Sequence, residues 1–243
     1  MHSKENRDYW NKINSDYSRV WIPKGRQEMS KRELSLIKDI VLKFTPHSIL
    51  DVGIGNGRIL KCLIKFSHKD TKIFGIDISE KMVNICKLKF NKIQKIKELK
   101  VCDISKDTIN INDKFDLVTM IRVLKYNENW KSILKKIFEK LRVGGIYIFT
   151  MPNSSSISRF SGDTFSEKNI PILYSSAKEL RIILDNIGFT DVEFRSFSKL
   201  PNFLYHINTN EFYVTILIKI EKSLEKILGK SFLGRELFVI CKK

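Results

Sequence analysis

The sequence is poor in cysteine and has no long apolar run. None of its cysteines is spaced for a metal cluster or forms a Cys-x-x-Cys pair, and scattered thiols are typical of a reducing compartment. No segment approaches the roughly 18 apolar residues that a membrane span needs, and the first ten residues lack the apolar region of a secretory signal. We therefore predict a cytoplasmic protein without a metal site. The cysteines are Cys62, Cys86, Cys102 and Cys241.

Acidic residues are also scarce, since 27 Asp and Glu stand against 44 Lys and Arg and give a formal net charge of +17. This balance is compatible with binding to nucleic acid or to an anionic membrane surface. However, 33 of the 44 basic residues are lysines, which are less suited than arginine to bidentate phosphate recognition. The stretch from Lys87 to Lys100 has six lysines but one aromatic residue, Phe90, for stacking on bases. A lysine-coated surface, produced by the codon bias of an AT-rich genome, is the simpler interpretation.

Predicted strands and helices alternate along the chain. The length of 243 residues and the hydrophobic content of 42% indicate a single domain. The alternation predicts an α/β fold, in which a mostly parallel sheet is covered by helices on both faces. We predict strands at 48–52, 72–77, 99–103, 115–121, 145–151, 191–197 and 236–241. We predict helices at 1–20, 27–44, 58–66, 80–90, 129–141 and 175–186, with caps at Ser79 and Gly188.

A glycine-rich turn follows the first predicted strand, in the sequence Ile-Leu-Asp-Val-Gly-Ile-Gly-Asn-Gly at 49–57. In an open α/β sheet this turn lies in the crevice where ligands bind. The dinucleotide fingerprint G-x-G-x-x-G would place its third glycine at position 58, which is occupied by Arg58. Asp51 precedes the turn and would repel a pyrophosphate, whereas it suits a cationic group such as the methionine ammonium of S-adenosylmethionine (SAM).

Two more aspartates end predicted strands. Asp77 ends the second strand, where it either accepts hydrogen bonds from two ribose hydroxyls or caps the following helix. Asp103 ends the third strand, where it either accepts from an adenine amino group, with Ile104 against the ring, or is a simple turn residue. Their order along the chain predicts that both belong to one nucleoside site.

The glycine turn, Asp77 and Asp103 together resemble the class I SAM-dependent methyltransferase family. Residues 115–120 resemble the fourth strand of that family, the Leu-Arg-Val-Gly-Gly sequence at 141–145 its following turn, and residues 176–189 its late helix. The resemblance covers about residues 27–197 and 236–241. It implies a doubly wound, seven-stranded Rossmann-like sheet whose last strand is antiparallel. It also implies a methyltransferase enzyme that uses S-adenosyl-L-methionine and releases S-adenosyl-L-homocysteine (SAH).

The resemblance implies a set of cofactor-binding residues. Tyr17 and Arg26 are placed near the cofactor carboxylate, and the alternatives for them are a packed aromatic and a surface arginine. Ile121 and Arg122 are placed near the methionine end, and Lys125-Tyr126 replaces the Glu-His pair that the family often has at that point. The complete set is Tyr17, Arg26, Asp51, Gly53, Gly55, Asn56, Gly57, Asp77, Ile78, Met82, Cys102, Asp103, Ile104, Ile121 and Arg122.

The methyl acceptor has weaker signals. His206 is a candidate general base with Tyr205 beside it, although a lone histidine is more often structural. No Asp/Asn-Pro-Pro-Tyr or Pro-Cys motif is present, which argues against methylation of exocyclic amines on DNA or of cytosine C5. The amphipathic segment 211–228 could cover the acceptor, touch a membrane surface or pack on its own domain.

We thus expect one domain, with a helical cap at about 1–26 and a lid-like insertion at about 198–232. The predicted activity is methyl transfer from SAM to a hydroxyl or amine of a small-molecule, glycan or lipid-linked acceptor. An RNA methyltransferase and a non-catalytic SAM-binding protein are the alternatives.

Overall fold

The computed structural model describes residues 2–12, 21–109, 111, 113–156, 172–197, 199–200, 204, 210–228 and 233–243. The strands are β1 (Ser48–Val52), β2 (Lys72–Asp77), β3 (Ile96–Val101), β4 (Phe115–Met120), β5 (Leu141–Pro152), β6 (Thr190–Phe197) and β7 (Glu236–Lys242). The helices are α1 (His2–Lys12), α2 (Lys24–Phe44), α3 (Arg58–Phe66), α4 (Glu80–Lys89), α5 (Trp130–Lys140), α6 (Ala177–Ile187) and α7 (Glu211–Leu228). A short 3-10 helix (Leu124–Tyr126) precedes α5.

All seven strands form one sheet, in the order β3-β2-β1-β4-β5-β7-β6. The pairs from β3 to β5 are parallel. β7 lies between β5 and β6 and is antiparallel to both. The predicted α/β class and the antiparallel last strand are therefore confirmed. Because the strand order reverses at β1, the carboxyl ends of β1 and β4 flank a crevice in which ligands bind in such sheets.

Helices cover both faces of the sheet. On one face, α5 and α6 pack on a core that includes Leu50, Tyr147 and Val239. On the other face, α2, α3 and α4 pack on a core that includes Ile49 and Phe238. Alternate residues of one strand therefore serve different cores, and β1 is buried along its whole length. Burial of each such aliphatic side chain stabilises the fold by about 1.5–3 kcal/mol.

Most predicted boundaries agree with the structure. β1, β2 and α3 begin and end as predicted. The third predicted strand begins earlier, at Ile96, because Ile73 and Phe74 of β2 pair with residues upstream of position 99. Within the helix predicted over 1–20, the structure describes a helix that ends at Lys12, and residues 13–20 lie outside the described part.

The predicted helix caps are also confirmed. The Ser79 hydroxyl accepts a hydrogen bond from the Met82 amide at the start of α4, which satisfies one of the exposed donors of the first turn. Gly188 ends α6 with φ of 106°, a left-handed conformation that glycine adopts without steric cost. The first cap fixes the start of α4 directly after β2.

Helix α7 packs on its own domain. Its inner face buries Val214, Leu217 and Ile218, and its Lys222 pairs with Glu28 of α2 at 2.8 Å. Its outer face leaves Phe212 74% exposed. Of the helices within the described ranges, none is long and apolar enough to cross a membrane.

Candidate cofactor-binding site

A cleft opens at the carboxyl ends of β1, β2 and β3 and encloses about 700 Å³, part of it open to solvent. This volume suits a nucleoside-sized ligand. The cleft brings together ten of the residues that the sequence predicts as cofactor contacts. They are Gly53, Gly55, Asp77, Ile78, Met82, Cys102, Asp103, Ile104, Ile121 and Arg122.

The glycine turn is closely packed against the loop that follows β4. Gly53 has φ of 76°, and its amide donates to the Ile76 carbonyl at 2.7 Å. A Cβ at this position would lie 2.1 Å from Cγ2 of Val123. A larger residue here would therefore displace the Val123 side chain, and glycine also adopts this positive φ without steric cost.

Asp77 connects the turn to α4. Its Oδ2 accepts from the Gly55 amide at 2.8 Å, and its Oδ1 accepts from the Ser79 amide at 2.8 Å. Burial raises the pKa of this carboxyl, while hydrogen bonds from backbone amides oppose that rise. Asp77 thus organises the turn and the start of α4, and it also lines the cleft.

Asp103 has the local turn contacts that the sequence left open as an alternative. Its Oδ1 accepts from the Ser105 hydroxyl at 2.6 Å and from the Ser105 amide at 3.0 Å. Its Oδ2 lies 4.0 Å from a guanidinium nitrogen of Arg7, in α1. The residue also lines the cleft, so a turn contact and a ligand contact are compatible.

Asp51 lies buried near the glycine turn, outside the residues that line the cleft. Its Oδ1 accepts from the Thr119 hydroxyl at 2.7 Å. Its Oδ2 is buried and has no hydrogen-bond partner among the described residues. Burial raises the pKa of Asp51 to about 7, although Thr119 and Arg58 act in the opposite direction. In its ionised form this carboxylate would attract a cationic ligand.

A second buried acid lies near Asp51. Glu33, from α2, is 2.8 Å from a guanidinium nitrogen of Arg58 and 2.7 Å from one of Arg122. Arg122 also lies 2.9 Å from Glu236, the first residue of β7. Both guanidinium groups lie near the Trp21 ring, with distances of 4.1 and 5.1 Å to its centroid. The guanidinium of Arg122 is thus engaged with protein carboxylates, while the residue itself borders the cleft.

The remaining predicted contacts lie elsewhere. Arg26 is exposed in the first turns of α2 and is not among the described lining residues of the cleft. Asn56 and Gly57 shape the entry into α3 without lining the cleft, and a Cβ on Gly57 would lie 2.5 Å from the Phe90 ring. Tyr17, Tyr205 and His206 lie outside the described residues.

Helix α1 contributes lining residues that the sequence did not predict. Asn6 and Trp10 border the cleft, and the Trp10 ring meets the Tyr126 ring edge-on at 5.5 Å. Their spacing of four residues, which puts both on one helix face, was the available sequence signal. The other unpredicted lining residues are Val52, Ile76, Val123, Tyr126 and Asn127.

Comparison with known proteins agrees with this geometry. A family described as "Methyltransferase domain" matches residues 50–149, which contain the glycine turn, Asp77 and Asp103. Residues 50–149 are therefore similar to a methyltransferase domain. The predicted family, cofactor and enzyme class are thereby supported.

Two curated relatives match part of this chain. The mitochondrial ubiquinone biosynthesis O-methyltransferase of Candida albicans is 24% identical over 141 residues, which cover 58% of this chain and 43% of that protein. The putative methyltransferase YqeM of Bacillus subtilis (strain 168) is 27% identical over 147 residues, which cover 56% of this chain and 58% of that protein. The chain thus spans about half the length of these relatives.

Solved methyltransferase structures share the fold over nearly the whole chain. Magnesium protoporphyrin IX methyltransferase from Synechocystis PCC 6803, solved with bound SAH, superposes with a TM-score of 0.65. The two chains are 14% identical, and the match covers 99% of each. The likeness extends to regions beyond residues 50–149, so the fold is common to the whole chain.

Proposed function

We propose that the protein transfers the methyl group of SAM to a hydroxyl or amine of a small-molecule, glycan or lipid-linked acceptor. The observation that carries this proposal is the arrangement of three aspartates at the carboxyl ends of the adjacent strands β1, β2 and β3. Asp77 and Asp103 line the cleft, and Asp51 is buried near the glycine turn. Each suits a different donor of SAM, and the spacing of the strand ends separates these donors along the cleft.

The residues present fit the cofactor. The buried Oδ2 of Asp51 has no partner in the described part of the chain, and the ammonium of the methionine end would supply one. Asp77 would hold the ribose, and Asp103 and Ile104 the adenine. Gly53 lets the backbone approach the methionine end, where a Cβ would meet Val123.

Positioning and exclusion of water are the tasks that the described residues can perform. The cofactor supplies an activated methyl group on a sulfonium sulfur. Among the described residues, the cleft lining contains no histidine and no lysine, and its acids are the two proposed nucleoside contacts. His206 remains the predicted base. Holding the acceptor in line with the methyl group can itself supply a large part of the rate increase.

The lysine contacts favour a small acceptor over RNA. Several of the described lysines donate hydrogen bonds to main-chain carbonyl groups. Lys95 donates to the carbonyls of Ile64 and Ser67 at 2.8 and 2.7 Å, and Lys136 donates to the Ile104 carbonyl at 3.0 Å. The names of the relatives, one in ubiquinone biosynthesis and one acting on magnesium protoporphyrin IX, support a small-molecule acceptor for this chain.

Calorimetry with SAH, followed by a panel of acceptors and methyl-labelled SAM, tests the proposal. We expect a micromolar dissociation constant, which corresponds to about −8 kcal/mol. Asp77→Asn should weaken SAH binding at least tenfold, because it removes the charge that attracts the ribose hydroxyls. Asp70→Asn, at an exposed position of 73% side-chain accessibility, is the matched control and should bind like the wild type.

Two results would change the proposal. Absence of SAH binding to the folded wild type would overturn it. RNA binding that falls steeply with salt, together with label transfer to RNA, would replace the small acceptor with RNA.

A further inference from the structure

Asn6 combines features that point to a ligand contact. The side chain lies in α1 and is 5% exposed. Its Nδ2 donates to the Tyr126 carbonyl at 2.8 Å, and this bond sets the orientation of the amide, because the reversed amide would put two oxygens together. Its Oδ1 is buried and has no hydrogen-bond partner within the described ranges. A buried acceptor without a donor is unfavourable unless a ligand supplies that donor.

The neighbours of Asn6 indicate at which end of the cleft it lies. The residue lines the cleft, and the next residue, Arg7, has its guanidinium 4.0 Å from Asp103. The Tyr126 carbonyl that Asn6 binds belongs to the same loop as Asn129, whose Nδ2 donates to the Ser105 carbonyl at 2.6 Å. Both contacts connect the segment around Asn6 with the loop after β3 that contains Asp103, so we place Asn6 towards the β3 side of the cleft.

The donors of the cofactor differ along its length. The ammonium would lie near β1 and the ribose hydroxyls near β2, where Asp77 stands. At β3 the remaining donor is the exocyclic amino group of adenine, which carries two hydrogens. Asp103 is already occupied at Oδ1 by Ser105. A second acceptor at this end is needed if both hydrogens of the amino group are to be satisfied.

We infer that Asn6 is a cofactor-binding residue whose Oδ1 accepts a hydrogen bond from the adenine amino group of SAM. This inference rests on the proposed function. It makes α1 part of the binding site, and it assigns to Asn6 the discrimination between adenine and hypoxanthine, in which a carbonyl oxygen replaces the amino group.

The test compares SAH with S-inosylhomocysteine, its deaminated analogue, by calorimetry. The wild type should prefer SAH strongly, and Asn6→Ala should reduce that preference about tenfold, because the variant no longer opposes the analogue's carbonyl oxygen. The matched control is Asn11→Ala, which removes another contact of α1, the 2.7 Å hydrogen bond with the Ser79 hydroxyl. It should leave the preference unchanged even if both ligands bind more weakly.

The outcomes separate the two claims. A folded wild type that binds neither ligand overturns the proposed function. A wild type that binds both ligands equally overturns the inference without any variant, and so does an Asn6→Ala protein with an unchanged preference. Asn6→Ser, whose small hydroxyl keeps a polar group at the position, replaces Asn6→Ala if thermal melting shows that the alanine variant is unfolded.

Discussion

The two buried acids near the glycine turn, Asp51 and Glu33, differ in their partners. Glu33 is held by Arg58 and Arg122, and although its burial raises its pKa, the attraction of the two guanidinium groups outweighs burial and lowers it. Asp51 has one hydroxyl donor, Thr119, and its pKa is raised to about 7. The Glu33 carboxylate is paired with cations of the protein itself. Asp51 has an oxygen without a described partner, which a cationic ligand can bind. We therefore assign a structural role to Glu33 and a ligand-binding role to Asp51.

Removal of the Glu33 carboxylate should have the largest effect on stability. Glu33→Ala leaves two guanidinium groups without this partner in a buried setting, so the free energy of unfolding should fall by about 5 kcal/mol, near the upper end for a broken buried pair. Urea denaturation measures it. Glu28→Ala, on the same helix and paired with Lys222, is the control and should cost less than about 1 kcal/mol. Equal losses for the two variants would contradict the buried role of Glu33.

Asp51→Asn should remove a loss of stability that the wild type shows as pH rises. A carboxyl whose pKa is raised from 3.8 to about 7 stabilises the native state below pH 4, and this contribution is lost as pH rises from about 4 to about 7. Relative to Asp51→Asn, the wild type should thus lose on the order of 4 kcal/mol across that window and nothing further above it. Urea denaturation from pH 4 to pH 9 measures the difference, and a constant difference would contradict it.

The affinity for SAH should also depend on the ionisation of Asp51. If the ammonium of SAH pairs with Asp51, the protein binds SAH more tightly when this carboxylate is ionised. The affinity of the wild type for SAH should therefore rise about tenfold between pH 6 and pH 8. At pH 6.5 binding should also release a proton, seen as a buffer-dependent enthalpy. Asp51→Asn should show neither effect. An affinity of the wild type that stays constant over this range would place Asp51 among the scaffold acids, with Glu33.

The sheet could be predicted well because its signals are local. β1 and β2 are mainly apolar runs with an aspartate at the last or next-to-last position. The glycines after β1 match one family of turns. The Ser79 and Gly188 caps depend on residues within a turn of each other. Such short-range patterns can be recognised in the sequence without knowing the rest of the fold.

The contacts of the site were less predictable because they join distant parts of the chain. The bond from Asn6 to the Tyr126 carbonyl spans 120 residues, and the one from Arg122 to Glu33 spans 89. No local pattern marks either pair. The contacts of Arg58 and Arg122 with Glu33 likewise join separate parts of the chain. The placement of Arg26 near the cofactor carboxylate stays a prediction.

The position of β7 has a consequence for the order of folding during synthesis. In the described sheet, β6 pairs only with β7. During synthesis, β7 leaves the ribosome only after the chain between Phe197 and Glu236 has been made. The five parallel strands can associate earlier, whereas β6 must wait with its edge exposed. Glu236 then reaches Arg122 as β7 inserts, so this ion pair forms only when the last strand is in place.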